Sequence, residues 1–468
     1  MKAAMTVRRL EHPRFWRSSS LAIAAALLFN VQADGSNKVK LRGYITGRID
    51  DKVVLILDDR LETTSGSRIL GQDSNGERSM KAEDLAVGML IDAEGQWLDR
   101  HKFFAEKIIV DLQESDKKIR GTAYLQEKPE DADKIATGQP GQLKLDGYLL
   151  EVNGNTKREW NVAKATTGGL GASSQAPLAA CHVKYTAVRR KDGKVDAEQI
   201  ELGPPAAADA YKMPHEIGIT QAKDAQTSID ILEFRQGKKV QGRMKLLAEK
   251  SVREYVSHLG DSLLPASAEG TSRPIEFRFF VVEDPAINAA SLPDGTVLIN
   301  TGLLGAIQNE SQLAFVMSHE IAHVLQAHYK REMDETRGQR VGLTIAGLAA
   351  GAFIGDLGTF MAGMGIASVV NGHQRELENQ ADRLGLQNVI EHGYDPREAP
   401  NFSRLIINRY GDRNTSKLWS NHDSSLIRGS FLTIQLQREY PDQNWEGTKK
   451  NTKAFEQMKE DLGPVNIM

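Results

Sequence analysis

Cysteine is nearly absent from this chain, which has only Cys181 among its 468 residues. A single cysteine cannot form an internal disulfide, so hydrophobic cores must hold the folded state together. We expect Cys181 to be a small buried residue rather than a reactive thiol. At roughly 150 residues per domain, a chain of this length is expected to form about three domains.

An excess of charge of one sign is also missing, because the formal net charge is -3. Residues 1–33 contain five basic residues and one acidic residue, so the rest of the chain carries a net charge of about -7. A mildly acidic surface argues against nucleic acid as a partner. Hydrophobic residues (40%) and charged residues (26%) are at the levels of globular proteins, which excludes a disordered chain or one with many membrane spans.

The apolar run near the N-terminus is too short to cross a membrane. Five basic residues precede the apolar residues 21–31, and the run ends in Val31-Gln32-Ala33. This pattern is typical of an export signal, with cleavage expected after Ala33. An uncleaved anchor is the less favoured alternative, since a spanning helix needs about 20 apolar residues. We therefore expect an exported protein of the periplasm or cell envelope.

Two stretches of alternating β-type sequence follow. Residues 38–112 predict a small β-module, and residues 119–202 predict a looser second copy, in which KIRG at 118–121 echoes KLRG at 40–43. Two copies are too few for a solenoid, so we predict a tandem of small all-β, barrel-like modules. Mixed charge and few aromatic residues favour a spacer or partner-docking role over binding of oligosaccharide or oligonucleotide.

A linker is predicted at residues 203–239, because Gly203-Pro204-Pro205 and three alanines begin it. A mainly α domain with a short sheet is expected at 240–430, followed by a C-terminal tail at 431–468. Within this domain the apolar spacing predicts a helix at 240–264 and a strand at 277–282.

The middle of this domain carries stronger local signals. Asp294-Gly295 lies between two apolar stretches and predicts a β-hairpin. Helices are expected at 310–332, with Asn309 as N-cap and Gln312 completing a capping box, and at 373–391. Between them, residues 341–370 are rich in Gly, Ala and large apolar side chains.

The first of these two helices contains the motif HExxH at residues 319–323. His319 and His323 are four residues apart, so both imidazoles face the same side of the helix and can bind one zinc ion. Zinc brings the pKa of a bound water near neutrality, and Glu320 is placed to act as the general base. A structural zinc site needs a fourth protein ligand, so three ligands favour a catalytic site with one zinc per chain.

The third ligand must come from elsewhere. The extended motif HExxHxxGxxH is absent, because Gln326 and Tyr329 stand where Gly and His are required. His328 is five residues after His323, so on a continuous helix it points away from the ligands and is expected at the surface. On the second helix Glu378 and Asp382 share a face. We assign Glu378 to the metal and Asp382 to orienting a ligand histidine through its other ring nitrogen.

Three separated motifs resemble the HtpX/BepA family of gluzincin metallopeptidases, to which the type I prenyl-protein proteases also belong. They are NTGLL at 300–304, HExxH at 319–323 and ENQAD at 378–382. The resemblance implies a zincin-type catalytic domain that hydrolyses peptide bonds, with zinc on His319, His323 and Glu378. The exported members are the most similar, and they imply quality control of envelope proteins with unfolded or misfolded substrates.

The chain departs from that family in two respects. Exported relatives carry a helical repeat domain after the peptidase, whereas here the additional modules come first. The family's late His-Pro motif is altered to His422-Asp423, with Arg428 at the family's spacing. The resemblance implies catalytic-site roles for His422 and Arg428. His422 either gates the site by binding zinc or stabilises the oxyanion, and these alternatives make opposite predictions for the rate of a His422→Ala variant.

Three functions are compatible with the sequence: an endopeptidase, a holdase or assembly factor with a latent zinc site, and a membrane-associated peptidase. The intact Glu320 favours the first. Residues 341–370 form either a lid over the cleft or a peripheral membrane contact, because each half is too short to span. We further predict that an extended substrate adds to an edge strand made of Val297, Leu298, Ile299 and Asn300.

Overall fold

The structure is a computed structural model that describes residues 38–112, 118–166, 178, 181–190, 192–205, 216–223, 228–265, 275–336, 375–411, 424–465 and 467. A mainly β region is followed by a mainly helical region, as the sequence predicts. Residues 40–468 belong to one compact unit. None of the helices in the described ranges is long and apolar enough to span a membrane.

The first β-region forms one sheet. Its strands are β1 (Val39–Tyr44), β2 (Gly47–Arg48), β3 (Val53–Ile56), β4 (Asp59–Glu62), β5 (Arg68–Asp73), β6 (Gly76–Met80), β7 (Leu90–Asp99) and β8 (Lys102–Asp111), with a 3-10 turn at Ala82–Asp84. Buried residues alternate along β8 at Phe103 and Ala105, then at Ile108 and Val110. The change of phase follows from a β-bulge in β8, where Glu106 is inserted between the residues that pair with Glu94 and Gly95. A Cβ at Gly95 would lie 1.9 Å from the Phe104 carbonyl oxygen.

The second β-region forms a separate sheet around its own core. It contains β9 (Lys118–Tyr124), β10 (Gly141–Leu145), β11 (Tyr148–Val152), β12 (Lys157–Glu159), β13 (Cys181–Arg189) and β14 (Val195–Pro205), with short helices α1 (Ala132–Ala136) and α2 (Val162–Thr166). Cys181 is fully buried as expected, and burial raises the pKa of its thiol to about 11.

The two sheets share one strand order. The first has β1-β7-β8-β4-β3, and the second has β9-β13-β14-β11-β10. In the first sheet the long strand β8 pairs parallel with β4, and in the second the long strand β14 pairs parallel with β11. Both β4 and β11 belong to a hairpin that comes earlier in the chain. This equivalence is the relation expected of a tandem repeat.

The predicted linker at 203–239 is wrong as a description of its structure. Strand β14 continues through both prolines, and Pro205 pairs with Cys181 at the strand end, where a missing N–H is tolerated. Strands β15 (Glu216–Lys223), β16 (Ser228–Gln236) and β17 (Lys239–Lys245) form a three-stranded antiparallel sheet. The predicted helix at 240–264 therefore begins later, because Met244 and Leu246 alternate as buried strand residues against Leu232 and Phe234.

The helical region contains α3 (Lys250–Ser262), β18 (Arg278–Val282), β19 (Ala289–Ser291), β20 (Thr296–Asn300), α4 (Thr301–Ala306), α5 (Glu310–Leu325), α6 (His328–Thr336), α7 (Arg375–Glu391), α8 (Glu398–Tyr410), α9 (Ser425–Glu439) and α10 (Lys453–Leu462). The hairpin prediction is confirmed, because β19 and β20 pair antiparallel and Gly295 adopts a φ of 92° in the turn. The buried residues of α3, α5, α7 and α8 share one core with this sheet.

The predicted edge position of Val297, Leu298, Ile299 and Asn300 is wrong. The strand order is β18-β20-β19, so β20 is the central strand, with β18 parallel on one side and β19 antiparallel on the other. All residues of β20 are buried. An apolar stretch of five residues suits a central strand covered on both faces, and its main-chain groups are already used in the sheet.

Helix α5 begins as predicted and ends earlier. The Asn309 side chain accepts from Gln312 N at 3.0 Å, but the Gln312 side chain accepts from Gln308 N at 2.8 Å instead of completing the capping box on Asn309. The helix ends at Leu325, and Ala327 adopts a left-handed φ of 50° before α6 starts.

The predicted tail at 431–468 is part of the fold. Leu432 on α9, and Phe455 and Met458 on α10, lie in the same core as the helix of the HExxH motif. Asn451 Oδ1 accepts from Glu310 N at 2.9 Å, which satisfies a main-chain donor in the first turn of α5. The C-terminal segment therefore helps to fix the helix that carries the site.

Candidate metal centre

Helices α5 and α7 bring His319, His323 and Glu378 together. The Nε2 atoms of the two histidines are 3.0 Å apart. Glu378 places Oε2 3.6 Å from Nε2 of His319 and Oε1 3.4 Å from Nε2 of His323. All three side chains are buried, and within the described residues they form a group able to hold a metal.

These separations fit a zinc ion. Zinc–nitrogen bonds of about 2.0–2.1 Å in tetrahedral geometry place ligand atoms roughly 3.3 Å apart, and the three pairs lie at 3.0, 3.4 and 3.6 Å. Two imidazoles and one carboxylate are also the donor types of zinc hydrolase sites. Among the described residues this group has three members, so a fourth coordination position is left for water or substrate.

The two helices approach closely at Gly385. A Cβ at this position on α7 would lie 3.1 Å from the main-chain nitrogen of His319 on α5. A larger side chain would push the two helices apart. The glycine therefore allows Glu378, two turns earlier on α7, to reach the histidines.

Asp382 and Arg428 form an ion pair beside His319. Asp382 Oδ1 is 2.8 Å from Nδ1 of His319, while Arg428 binds both carboxylate oxygens, at 2.6 Å and 3.1 Å. Burial raises the pKa of Asp382, but the charges of Arg428 and His319 and their hydrogen bonds outweigh it and hold that pKa well below its usual value. Burial and the nearby Arg428 charge lower the pKa of His319.

These contacts fix the tautomer of His319. An ionised Asp382 accepts the Nδ1 proton, which leaves the Nε2 lone pair directed towards Glu378. Arg428 thus acts on the site through Asp382, whereas the sequence placed it among the catalytic residues. His422, the other residue of that late motif, lies outside the described residues.

The prediction for His328 is wrong. This histidine is 0% exposed, and its Nδ1 lies 2.9 Å from Nδ1 of His323, while its Nε2 lies 2.9 Å from Oε1 of Gln380. The prediction assumed one continuous helix. The left-handed residue Ala327 breaks the helix and turns His328 back towards the site.

One assignment of ring protons satisfies both hydrogen bonds of His328. His323 Nδ1–H donates to His328 Nδ1, and His328 Nε2–H donates to Gln380 Oε1, which leaves Nε2 of His323 for the metal. The sequence offered no signal for this break, since Gln326 and Ala327 are residue types that favour a helix. We therefore identify His328 as a positioning residue for His323.

Replacing His328 by Ala is expected to weaken zinc binding about 10- to 100-fold, because His323 loses the partner that fixes its tautomer and ring orientation. Competition with a chelator of known zinc affinity measures the effect. A matched control is His392→Ala, since within the described residues the His392 ring is hydrogen-bonded to the carbonyl of Asn388, away from the metal group. Equal zinc affinity in the His328 variant and wild type would contradict the positioning role.

Glu320 is held next to the metal group by the sheet. Ser291 Oγ on β19 donates to Glu320 Oε2 at 2.8 Å, and Glu320 is 2% exposed. A buried carboxylate that follows a ligand histidine on α5 is placed to accept a proton from water at the metal.

Strand β19 is an edge strand of its sheet in the part of the chain that the structure describes. Asn288 O accepts from β20 at 3.1 Å and Leu292 N donates to β20 at 2.8 Å. Hydrogen-bonding positions alternate along an antiparallel strand, so the main-chain groups of Ala289 and Ser291 point away from β20. Ala289 is fully buried and Ser291 is partly exposed, so the main-chain groups of Ser291 are the ones placed to pair with another extended chain.

Both β-regions contact the helices of the site, which the sequence did not reveal. The Gln326 side chain bonds both main-chain groups of Tyr124 on β9, at 2.7 Å and 3.0 Å. Gln380 Nε2 donates to Thr122 O at 3.2 Å, and Asn379 Nδ2 donates to the Tyr44 hydroxyl on β1 at 3.3 Å. The residues after Glu378 are thus fixed by both sheets. The predicted export signal at 1–33 and the segment at 341–370 lie outside the described residues.

Comparison with known proteins agrees with this geometry. Peptidase family M48 matches residues 250–435. The chain is similar to the beta-barrel assembly-enhancing proteases of Yersinia pestis (32% identical over 201 residues, 41% of this chain and 40% of the relative) and Escherichia coli K12 (31% over 186 residues, 38% and 37%). It is also similar to the mitochondrial metalloendopeptidase OMA1 of Arabidopsis thaliana (30% over 159 residues, 34% and 31%).

The match covers α3 to α9, including all four residues of the HExxH-plus-Glu site. The chain spans less than half the length of the curated relatives it matches. The two β-regions precede the matched residues. Residues 250–435 thus form a domain similar to the metallopeptidases of family M48.

Proposed function

We propose that this protein is a zinc endopeptidase of zincin type that cleaves unfolded or misassembled exported proteins. The observation that carries the proposal is the buried Glu320 carboxylate, positioned by Ser291 beside a cluster of two histidines and Glu378. The Asp382–Arg428 pair and His328 orient the two histidines from opposite sides. This arrangement has more groups than a purely structural metal site requires.

Bound zinc would be held by His319, His323 and Glu378, and it supplies Lewis acidity that makes water a better nucleophile and polarises the scissile carbonyl. Glu320 accepts the proton of the attacking water and then delivers it to the leaving amine nitrogen. The Ser291 hydroxyl donates a hydrogen bond to one oxygen of Glu320 and so fixes the orientation of this carboxylate. Asp382 keeps His319 in the tautomer that presents Nε2.

A substrate is proposed to pair with β19 as an additional strand. Main-chain hydrogen bonds to Ser291, the partly exposed residue of β19, would align an extended chain next to Glu320 with little demand on its sequence. Such pairing selects unfolded segments, because a folded protein has few main-chain groups available. Broad sequence specificity follows.

The edge-strand proposal is tested by comparing Ser291→Pro with Ser291→Ala. Both variants lose the hydroxyl that bonds Glu320, but only proline also removes the outward N–H. We expect the proline variant to have a KM at least about tenfold above that of the alanine variant, as one or more main-chain hydrogen bonds are lost. Zinc content should be equal in the two, and equal KM values would refute pairing at this edge.

The substrate class is proposed by extension from the relatives, whose name refers to the assembly of beta-barrels. The predicted export signal at 1–33 supports action in the periplasm or cell envelope. Cross-linking to an inactive Glu320→Gln variant in cells, followed by mass spectrometry, should capture exported proteins. Recovery of mainly cytoplasmic proteins would contradict this substrate class.

The endopeptidase proposal itself is tested in vitro. Zinc-loaded protein should hydrolyse unfolded casein, lose this activity with a chelator and regain it on adding zinc. A holdase with a latent site would bind casein and prevent its aggregation without cleaving it. Binding without cleavage by fully zinc-loaded protein would therefore overturn the proposal.

A further inference from the structure

A cavity of about 330 Å³ lies where the two β-regions meet helices α7 and α9. Its walls include Tyr44 from β1, Thr122 from β9, Gln380 from α7 and Gln435 from α9. It opens on the face of α7 that carries Asn379 and Gln380. The volume is near the lower end of ligand pockets, about 300–1,000 Å³, and suits a small charged group with one attached moiety.

Positive charge is concentrated around this cavity. Seven cationic residues line it, namely Lys118, Arg120, Arg189, Arg331, Arg375, Arg383 and Arg438. Three acidic residues, Asp111, Asp146 and Glu376, also line it. Counting Glu439, which pairs with Arg189 from outside the lining, these residues have a formal charge of +3, in a chain whose formal net charge is -3.

Strand β9 and helix α7 both contribute cationic side chains to the cavity. Along β9, Lys118, Arg120 and Thr122 alternate on one face, while Ile119 and Ala123 pack on the core of the second sheet. On α7, Arg383 is fixed by Asp146, which accepts from Arg383 Nη2 at 2.7 Å and from its Nε through the main-chain oxygen at 2.9 Å. The guanidinium and ammonium groups are thus held around one space rather than spread over the surface.

We propose that this cavity binds a ligand with a phosphate monoester or phosphodiester group, either a soluble metabolite or the headgroup of a phospholipid. Guanidinium groups match phosphate oxygens in a bidentate manner, and several of them offset more charge than a single carboxylate carries. Hydroxyl and amide groups of Thr122, Tyr148 and Gln435 line the same space and add neutral donors.

Two side chains, Gln380 and His328, would separate the bound phosphate from the metal-site residue His323. Gln380 lines the cavity, and its Oε1 accepts from Arg331 Nη1 at 2.6 Å and from His328 Nε2 at 2.9 Å. His328 in turn contacts the ligand His323. One bound anion would therefore contact both β-regions and α7, the helix that carries Glu378.

Calorimetric titration of the zinc-loaded mature chain with glycerol 3-phosphate tests the proposal, with glycerol as the neutral comparison. The variant is Lys118→Gln with Arg120→Gln, because both residues are exposed and neither belongs to the metal site. We expect wild type to bind glycerol 3-phosphate but not glycerol, and the double variant to bind about tenfold or more weakly. Peptide hydrolysis is not needed for this readout.

The matched control removes the same charge elsewhere, as Arg78→Gln with Lys238→Gln, both exposed and outside the cavity lining. The control should bind like wild type. Equal weakening in both double variants would show only general attraction of anions, and an unchanged affinity in the Lys118/Arg120 variant would place binding elsewhere, such as at the zinc. Either result, or no binding by wild type, overturns the proposal.

Vesicles distinguish the two ligand sources. Co-sedimentation with phosphatidylglycerol vesicles, lost in the Lys118/Arg120 variant and kept in the control, assigns the site to a lipid headgroup. Binding of glycerol 3-phosphate without vesicle binding assigns it to a soluble phosphate ester. Phosphatidylcholine vesicles provide the zwitterionic comparison.

Discussion

Replacing Glu320 by Gln is expected to lower kcat for peptide hydrolysis by about 10²- to 10⁴-fold, because a neutral amide cannot accept the proton of the attacking water. The substitution is nearly isosteric, and the Ser291 hydroxyl can still donate to the amide oxygen. Zinc content and the unfolding midpoint should match those of wild type. Steady-state hydrolysis of an unfolded protein substrate, with zinc measured on the same samples, provides the test.

The control for this experiment is Glu376→Gln, which removes an exposed carboxylate from α7. It changes the net charge equally and should keep wild-type activity. Activity of Glu320→Gln within about a factor of ten of wild type, at full zinc occupancy, would eliminate Glu320 as the general base.

Replacing Glu378 by Ala is expected to remove zinc from the purified protein, because only two of three ligands are left. Buried Glu378 carries the only carboxylate of the metal group in the described residues. Loss of its charge leaves two neutral imidazoles, which bind a divalent cation far more weakly. We expect zinc per chain to fall from about one to near zero after dialysis, measured by elemental analysis.

Glu376→Ala is the matched control, since residue 376 is two positions earlier on the same helix and faces away from the histidines. It should retain full zinc. Full zinc in Glu378→Ala would assign the third ligand to another residue. Loss of zinc in both variants, with a lowered unfolding midpoint, would indicate damage to α7 rather than loss of a ligand.

The β-regions contact the helices of the metal centre directly, although the sequence predicted a spacer or partner-docking role for them. Gln326 and Gln380 both bond main-chain groups of β9, and both lie within a few residues of metal ligands. Any ligand of the β-regions would therefore act next to α7. The phosphate site proposed between them is one such ligand position.

The parts of the site that the sequence predicted depend on local geometry. His319 and His323 share a face because α-helical spacing fixes it, and the same spacing brings Glu378 and Asp382 to one side of α7. The N-cap at Asn309 and the turn at Gly295 are likewise encoded within a few residues. Side-chain chemistry at fixed spacing was enough for these features, without any knowledge of the fold.

The errors at the predicted linker and at the predicted tail involve partners distant in sequence. The predicted linker contains strands, because Pro204 and Pro205 stand at a strand end where no ladder donor is required. The tail at 431–468 packs on the core, since its apolar residues meet helices more than a hundred residues earlier. Composition describes such segments poorly, as it carries no information on what will cover them.

The sequence by itself determined which residues gather at the candidate metal centre and the helices that present them, since each depends on the spacing of neighbouring residues. Only the tertiary structure decided that β20 is central and that β19 lies at an edge of the sheet among the described residues, because strand order is set by pairing between distant segments. The left-handed backbone at Ala327 turned His328 from a surface residue into a partner of His323. The basic cavity has the same origin, because packing of two sheets against α7 gathers charges that are dispersed along the chain.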